Sequence, residues 1–219
     1  MSVFVKICGI TNEDDARHAI DCGADALGFN GWPGSKRFID LEKNSEWIGG
    51  LPENVLLCAV VVNPTLENVN ALFACGVFDA VQLHGDETAD FCANAVELGT
   101  IMKALPATPA LARRDLAAYQ SPTMLLDASV PGAYGGTGVE CDLHAAKAVC
   151  SAWPNLRFML AGGLRPDNVA TALTHVQPWG VDVAGGVEKQ SNPRRKDTAL
   201  MCAFVRNAQE AATRKKSNQ

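Results

Sequence analysis

A thiol and a carboxyl group stand at the ends of two apolar segments, VFVKIC ending at Cys8 and TMLLD ending at Asp127. If both segments are strands of one parallel sheet, the residues at their C-terminal ends face the same side of it. A carboxylic acid can give a proton there and a thiolate can take one. The two residues therefore predict general acid/base catalysis at one mouth of the fold.

Eight such apolar segments recur along the chain, beginning near residues 3, 25, 56, 79, 100, 123, 157 and 179. Each is followed by a stretch patterned like a helix, and the spacing of about 21 to 34 residues is what one strand, one helix and two loops require. The repeat predicts an α/β protein, a single-domain (β/α)8 TIM barrel over residues 1–219 with a frayed tail from about 212. In this architecture the strand C-termini face the active site.

Composition limits the classes of partner. No apolar run approaches the roughly 18 residues of a membrane span, and the first dozen residues lack the features of a signal peptide, so we expect a cytoplasmic protein and no membrane partner. The net charge of -5 without a long basic stripe gives no reason to expect nucleic-acid binding. Eight scattered cysteines without a CxxC predict reduced thiols, most of them buried, and no metal site.

Glycine pairs follow the seventh and eighth segments, Gly162-Gly163 and Gly185-Gly186. One pair alone would favour a tight turn, but a barrel's phosphate site is commonly built from these two loops, because glycine lets the backbone approach an anion closely. The sixth segment leads into a glycine-rich loop over 128–140, and long loops of this kind are commonly functional. The pattern predicts a phosphorylated small molecule as ligand.

Five motifs together resemble one family. They are VKICGIT at 5–11, VQLHGDE at 81–87, LLD followed by GGTG at 135–138, LAGGL at 160–164 and GVDV with GVE over 180–188. In order and spacing they resemble the phosphoribosylanthranilate isomerases of tryptophan biosynthesis, over about residues 3 to 205. The resemblance implies a (β/α)8 barrel without metal or organic cofactor. It also implies an Amadori rearrangement of N-(5-phosphoribosyl)anthranilate to its 1-deoxyribulose isomer.

The resemblance assigns the general base to Cys8 and the general acid to Asp127. Opening the ribose ring requires a proton on the ring oxygen, and a base must then remove the C2 proton to give an enolamine that tautomerises to the ketone. Asp127 must therefore hold a proton when the substrate binds. Cys8 must lose its proton, and a free thiol with a pKa of about 8.5 needs help to do so.

Three further residues match motif positions that in the family contact substrate. Arg37 matches an arginine that recognises the anthranilate carboxylate, for which a planar guanidinium is suited. His84 matches a strand-end histidine with a supporting role, and Asp182 matches an acid that orients the substrate or a neighbouring group. Without the resemblance, Arg37 reads equally well as a solvated loop arginine, and His84 as a capping or buried structural histidine.

The chain departs from the family pattern in two loops. Lys36 stands where the family usually has proline, which leaves the stiffness of that loop open. Ala184 and Gly185 stand where the family commonly has serines. Two hydroxyl donors are therefore missing, and we expect phosphate binding to rest on backbone N–H groups.

Two other functions remain as alternatives. Another sugar-phosphate barrel isomerase would share the glycine loops but would be expected to use two aspartates at strands one and six, and Cys8 argues against it. A non-catalytic barrel that binds a phosphorylated ligand would have no need of both Cys8 and Asp127. Contact with neighbouring enzymes of the tryptophan pathway stays open.

Overall fold

Eight parallel strands form a closed barrel in which each strand pairs with the next along the chain and the eighth pairs with the first. The protein is represented by a computed structural model that describes residues 2–128, 134 and 139–217, without the side chains of 215–217. The strands are β1 (Phe4–Cys8), β2 (Ala26–Asn30), β3 (Leu56–Val61), β4 (Ala80–Leu83), β5 (Ile101–Pro106), β6 (Thr123–Asp127), β7 (Arg157–Leu160) and β8 (Gly180–Val183). The predicted (β/α)8 barrel is confirmed.

Helices surround the barrel. They are α1 (Glu13–Asp21), α2 (Ser45–Gly49), α3 (Leu66–Ala74), α4 (Ala89–Val96), α5 (Leu143–Ala152), α6 (Val169–Val176) and α7 (Thr198–Ser217). The last of these continues through the segment from about 212 that the sequence predicts as a tail. None of the described helices is long and apolar enough to cross a membrane.

The prediction of a helix after every strand is wrong after β5. Two short 3₁₀ turns, Leu111–Arg113 and Ala117–Tyr119, stand there instead. Arg114 between them is extended, and the Asp115 carboxylate accepts a hydrogen bond from the N–H of Ala117 at 3.1 Å. This local bond begins the second turn and offers the backbone an alternative to a continuous helix.

Helix starts follow the sequence in one case and not in another. The sequence offers Thr11 or Asn12 as the cap of α1, and Asn12 is the cap, because its side-chain oxygen accepts from the N–H of Asp15 at 3.0 Å. The sequence also predicts that Asp86, which follows the fourth strand, caps α4, and this prediction is wrong. Thr88 caps that helix by accepting from Phe91, whereas Asp86 accepts from the hydroxyl of Tyr134.

Most apolar side chains pack between the barrel and its helices, and a smaller apolar cluster fills the barrel itself. The strands are buried on both faces, which explains why their sequences lack a period-two alternation. Lys6, Lys103 and Asp182 are the exceptions inside these strands, since all three are charged and buried. Lys103 Nζ donates to Glu87 at 2.6 Å and to the Gly85 carbonyl at 2.7 Å, which fixes the loop after β4.

An antiparallel hairpin that the sequence did not predict lies between β8 and α7. It consists of β9 (Glu188–Lys189) and β10 (Asn192–Lys196). Arg194 donates to the carbonyl of Phe38 at 2.9 Å and accepts from the hydroxyl of Thr11. Lys196 donates from Nζ to the carbonyl of Ala184 at 3.0 Å. The hairpin therefore ties together the loops that follow β1, β2 and β8.

Cys22 and Cys202 form a disulfide, so the prediction that all cysteines are reduced is wrong for this pair. Cys22 caps the C-terminus of α1 and Cys202 lies on α7. In a closed barrel the first and last helices are neighbours, and a spacing of 180 residues gives no local sign of that contact. Cys8, Cys58, Cys92 and Cys141 are buried thiols, as expected.

We predict that Cys202→Ser lowers the free energy of unfolding by about 2–4 kcal/mol under oxidising conditions, because the crosslink restricts the unfolded chain. Urea unfolding of the oxidised parent and of the variant measures the difference. With a reductant present, the two proteins should have the same stability. Equal stability without reductant would show that the disulfide contributes nothing.

Candidate active site

A cavity of about 610 Å³ opens at the C-terminal ends of the strands. Every site residue predicted from the sequence lies in its wall: Cys8, Arg37, His84, Asp127, Asp182, Gly162, Gly163, Gly185 and Gly186. They come from β1, β6 and β8 and from the loops that follow β2, β4, β7 and β8. The structure thus brings together residues that are up to 178 positions apart, from residue 8 to residue 186.

Cys8 ends β1 and lies beside a buried ion pair. Lys6, two residues earlier on the same face of the strand, has its Nζ 2.8 Å from Asp182 Oδ1. A Cβ on Gly28 would lie 2.7 Å from Cys8 Sγ and 3.1 Å from Lys6 Nζ, so glycine there leaves the room that both groups occupy. Lys6 was not predicted as a site residue, although a lysine inside an apolar strand is an unusual residue to bury.

Burial is the largest influence on the Cys8 thiol and raises its pKa above the ordinary value. The Lys6 ammonium opposes this most, Asp182 reinforces it, and Lys196 and Arg37 oppose it more weakly. For Lys6, burial alone lowers the pKa, but Asp182 and Cys8 more than reverse this, and the pKa is raised. Cations therefore do help the thiol, as expected, but burial outweighs them and Cys8 carries its proton at neutral pH.

We predict that alkylation of Cys8 by iodoacetamide speeds up with rising pH and has its midpoint at a higher pH than alkylation of free cysteine, because only the thiolate reacts and the pKa of Cys8 is raised. Mass spectrometry of the peptide that contains Cys8, after timed pulses at each pH, measures the rate. Cys8→Ser identifies the peptide. A midpoint below about pH 8 would contradict the effect of burial.

Asp127 ends β6 and takes part in a chain of hydrogen bonds. Its Oδ1 accepts from the N–H of Ala128 at 2.8 Å, and its Oδ2 lies 3.2 Å from His84 Nε2. The amide nitrogen of Gln82 donates to His84 Nδ1 at 2.8 Å, which leaves the ring proton on Nε2 to be donated to Asp127. Gln82 was missed in the sequence, and its Oε1 is buried without a partner among the described residues.

Arg37, in the loop after β2, enters the cavity wall and is only 6% exposed. Gly9 has a φ of +73°, and a Cβ there would overlap the Arg37 side chain. The Nε and Nη2 atoms of Arg37 donate to the two carboxylate oxygens of Glu188, with Nη2–Oε2 at 3.1 Å. Glu188 was not predicted as a site residue, although it belongs to the GVE motif.

Lys196 lies behind Glu188, with its Nζ 3.3 Å from Oε1. The pKa of Lys196 is lowered to about 8, and burial is the largest cause. The Arg37 guanidinium lowers this pKa further, whereas the Glu188 carboxylate raises it. Lys196 ends the short basic run at 194–196, for which the sequence predicts no role. The β9–β10 hairpin, which was not predicted, brings Lys196 next to Glu188.

The two glycine loops lie side by side. Gly162 and Gly163 have φ values of +82° and +67°, the left-handed region that favours glycine. A Cβ on Gly186 would overlap the carbonyl oxygen of Leu164, and one on Gly185 would lie 3.2 Å from Arg37 Nη2. The loops after β7 and β8 are therefore in close contact, as the sequence predicted. The GGTG motif at 135–138 lies outside the described residues.

Among the described residues, no group of three or more His, Cys, Asp or Glu side chains is arranged to hold a metal ion. A closed barrel with a thiol, a carboxyl group and an arginine around one cavity defines a (β/α)8-barrel enzyme that acts on a small molecule at the C-terminal mouth of its strands.

Comparison with known proteins gives the family. Residues 5–207 match the family model of N-(5'phosphoribosyl)anthranilate (PRA) isomerase. The chain is 42% identical over 209 residues to N-(5'-phosphoribosyl)anthranilate isomerase from Trichlorobacter lovleyi, and the alignment covers 95% of this chain and 99% of that one. It is 43% identical over 206 residues to the Geobacter metallireducens protein of the same name, over 94% and 98% of the two chains. The chain belongs to the N-(5'-phosphoribosyl)anthranilate isomerase family.

Solved structures agree. The crystal structure of phosphoribosyl anthranilate isomerase from Thermotoga maritima superposes with a TM-score of 0.84 at 35% identity, over 95% of this chain and 99% of that one. A crystal structure of phosphoribosyl anthranilate isomerase in complex with reduced 1-(o-carboxyphenylamino)-1-deoxyribulose 5-phosphate gives a TM-score of 0.78 at 32% identity, with the same coverage. The chain is thus an isomerase of tryptophan biosynthesis. It rearranges N-(5-phospho-β-D-ribosyl)anthranilate to 1-(2-carboxyphenylamino)-1-deoxy-D-ribulose 5-phosphate.

Proposed function

We propose that this isomerisation proceeds by general acid/base catalysis in which Asp127 gives the first proton and Cys8 takes the second. The observation that carries the proposal is that both side chains end their strands in the wall of one cavity, on β6 and β1. Each has neighbours that suit its role, and these neighbours differ in kind. Hydrogen-bond donors surround the carboxyl group, whereas a buried ion pair lies beside the thiol.

In the first step, Asp127 protonates the ring oxygen of the ribose. The C1–O bond breaks, and the nitrogen lone pair forms the C1=N bond of the Schiff base. Asp127 is left as a carboxylate, which the N–H of Ala128 and the Nε2–H of His84 stabilise. His84 therefore supports the acid, and Gln82 holds its ring in the orientation and tautomer that donate to Asp127.

In the second step, the Cys8 thiolate removes the C2 proton. The C–H electron pair forms C1=C2, and the electrons of the C1=N bond return to nitrogen, which gives the enolamine. The enolamine then gains a proton at C1 and loses the hydroxyl proton at C2, and the ketone results. Lys6 stays charged beside the thiolate while it forms, and Asp182 holds Lys6 in place.

The two ends of the substrate are anionic, and different groups of the cavity wall bind each of them. Arg37 supplies a guanidinium for the anthranilate carboxylate, and the loops at Gly162–Gly163 and 185–186 supply backbone N–H groups for the phosphate. Ala184 carries no hydroxyl, so the main chain must provide the donors. The ligand of a relative, a reduced carboxyphenylamino sugar phosphate, carries both anionic groups and supports this arrangement.

We also propose that the enzyme works in the cytoplasm, without nucleic-acid or membrane partners, as expected for a biosynthetic enzyme that uses a phosphorylated metabolite. Cys202 is exposed and Cys22 is half-buried, so cellular thiols can reach their disulfide. We therefore infer that the redox state of the pair follows that of its compartment.

We predict that Cys8→Ala and Asp127→Asn each lower kcat by about 10²–10⁴-fold, because each removes one positioned proton-transfer group. The loss of anthranilate fluorescence from freshly made phosphoribosylanthranilate measures turnover. Both variants should still bind the reduced product analogue, which is already ring-opened. Turnover within about twofold of the parent in either variant would remove that residue from the mechanism.

A second test addresses the phosphate. We predict that Gly186→Ala weakens binding of the reduced product analogue by about tenfold, because the new Cβ pushes the loop after β8 away from Leu164. The dephosphorylated analogue should bind the variant and the parent equally well. Calorimetry with both ligands measures this, and Gly50→Ala, at a glycine outside the cavity wall, is the control. Equal losses for the two ligands would argue against a phosphate at these loops.

A further inference from the structure

Three charged side chains form one cluster at the cavity: Arg37 from the loop after β2 and Glu188 from β9 lie in its wall, and Lys196 from β10 lies behind Glu188. Their order is Arg37, then Glu188, then Lys196, since the carboxylate lies between the two cations. The side chains of Arg37 and Glu188 are each only 7% exposed, and that of Lys196 is fully buried. A buried cluster of this kind costs desolvation energy, which calls for a reason beyond stability.

The guanidinium is held by one particular edge. A guanidinium has five N–H donors, and Glu188 takes those of the Nε–Nη2 edge with both carboxylate oxygens. No described residue accepts a hydrogen bond from Nη1. The terminal edge, formed by Nη1 and the second N–H of Nη2, therefore remains for a second carboxylate in the same bidentate geometry.

Lys196 decides the net charge of the cluster. Arg37 and Glu188 alone would be a neutral pair, and a neutral pair attracts an incoming carboxylate poorly. The ammonium of Lys196 restores one net positive charge, and its bond to the Ala184 carbonyl anchors it to the end of β8. Cys8 and Asp15 also face Lys196, the latter by accepting from its backbone N–H at 2.8 Å.

We propose that Glu188 is a positioning residue for substrate recognition. It fixes Arg37 by the Nε–Nη2 edge so that the terminal edge faces the aromatic carboxylate, and Lys196 keeps the cluster positive enough to bind that anion. The inference rests on the proposed role of Arg37. Its consequence is selectivity for an arylamine that carries a carboxylate, and the effect acts on binding rather than on proton transfer.

The test uses two ligands that differ in one group: reduced 1-(2-carboxyphenylamino)-1-deoxyribulose 5-phosphate and the corresponding phenylamino compound made from aniline. Glu188→Gln should weaken the first by about tenfold, the scale of a hydrogen bond to a charged group, and the second by less than about twofold. In turnover, KM should rise while kcat stays within about twofold, which a general structural defect would not produce.

A double-mutant cycle shows whether Glu188 acts through Arg37. In the Arg37→Ala background, Glu188→Gln should cause no further loss of either ligand. Asp40→Asn is the matched control, because it removes the same charge from the loop that carries Arg37 and Asp40 pairs with Lys43 instead. It should leave both ligands unaffected.

Three results would overturn the inference. If Glu188→Gln binds the carboxylate ligand more tightly, Glu188 competes with the ligand for Arg37. If both ligands lose affinity equally, Glu188 is a structural residue. If Glu188→Gln causes its full loss of affinity in the Arg37→Ala background, Glu188 does not act through Arg37. If Arg37→Ala alone leaves the carboxylate ligand bound as before, the role of Arg37 itself is wrong. Should Glu188→Gln not fold, Glu188→Asp and Lys196→Met must show the same ligand-selective loss.

Discussion

Lys6 and Asp182 lie opposite each other in the register of β1 and β8, and their side chains form an ion pair in the centre of the barrel. A single charge buried there would be very costly, so each residue requires the other. A slip of one residue between the two strands would break the pair and turn Cys8 away from the cavity, because side chains alternate along a strand. One pairing thus fixes the closure of the barrel, the direction of the thiol and its electrostatic surroundings.

The surroundings of the two proposed catalytic groups favour the state that each reaches after its proton transfer. Hydrogen bonds from Ala128 and His84 stabilise Asp127 as a carboxylate, and burial stabilises Cys8 as a thiol. Because burial raises the pKa of Cys8, the ionised thiol is a minor form of the free enzyme. This form is reactive for the same reason. The proton transfer from Asp127 to the substrate and the transfer from the substrate to Cys8 each produce the state that the surrounding groups stabilise.

The sequence was sufficient for the parts of the fold that local pattern controls. The eight strands begin within one residue of their predicted starts, because each is a short apolar run in a repeat of nearly constant spacing. The family motifs also led to the residues of the cavity wall. What could not be predicted depends on contacts across the closed barrel, such as Lys6 with Asp182, Arg37 with Glu188 and Cys22 with Cys202, which are 176, 151 and 180 residues apart. No local pattern records such contacts.

The same long-range pairing affects how the protein is made. A ribosome completes β1 and the loop that carries Arg37 early, whereas Asp182 and Glu188 are added near the end of synthesis. Until then the nascent chain holds a lysine and an arginine whose carboxylate partners do not yet exist, and an open sheet with two unpaired edges. Contacts of such high sequence separation form slowly, and unpaired edges promote aggregation. The chain is therefore most exposed to misfolding, and most in need of a chaperone, just before its eighth strand leaves the ribosome.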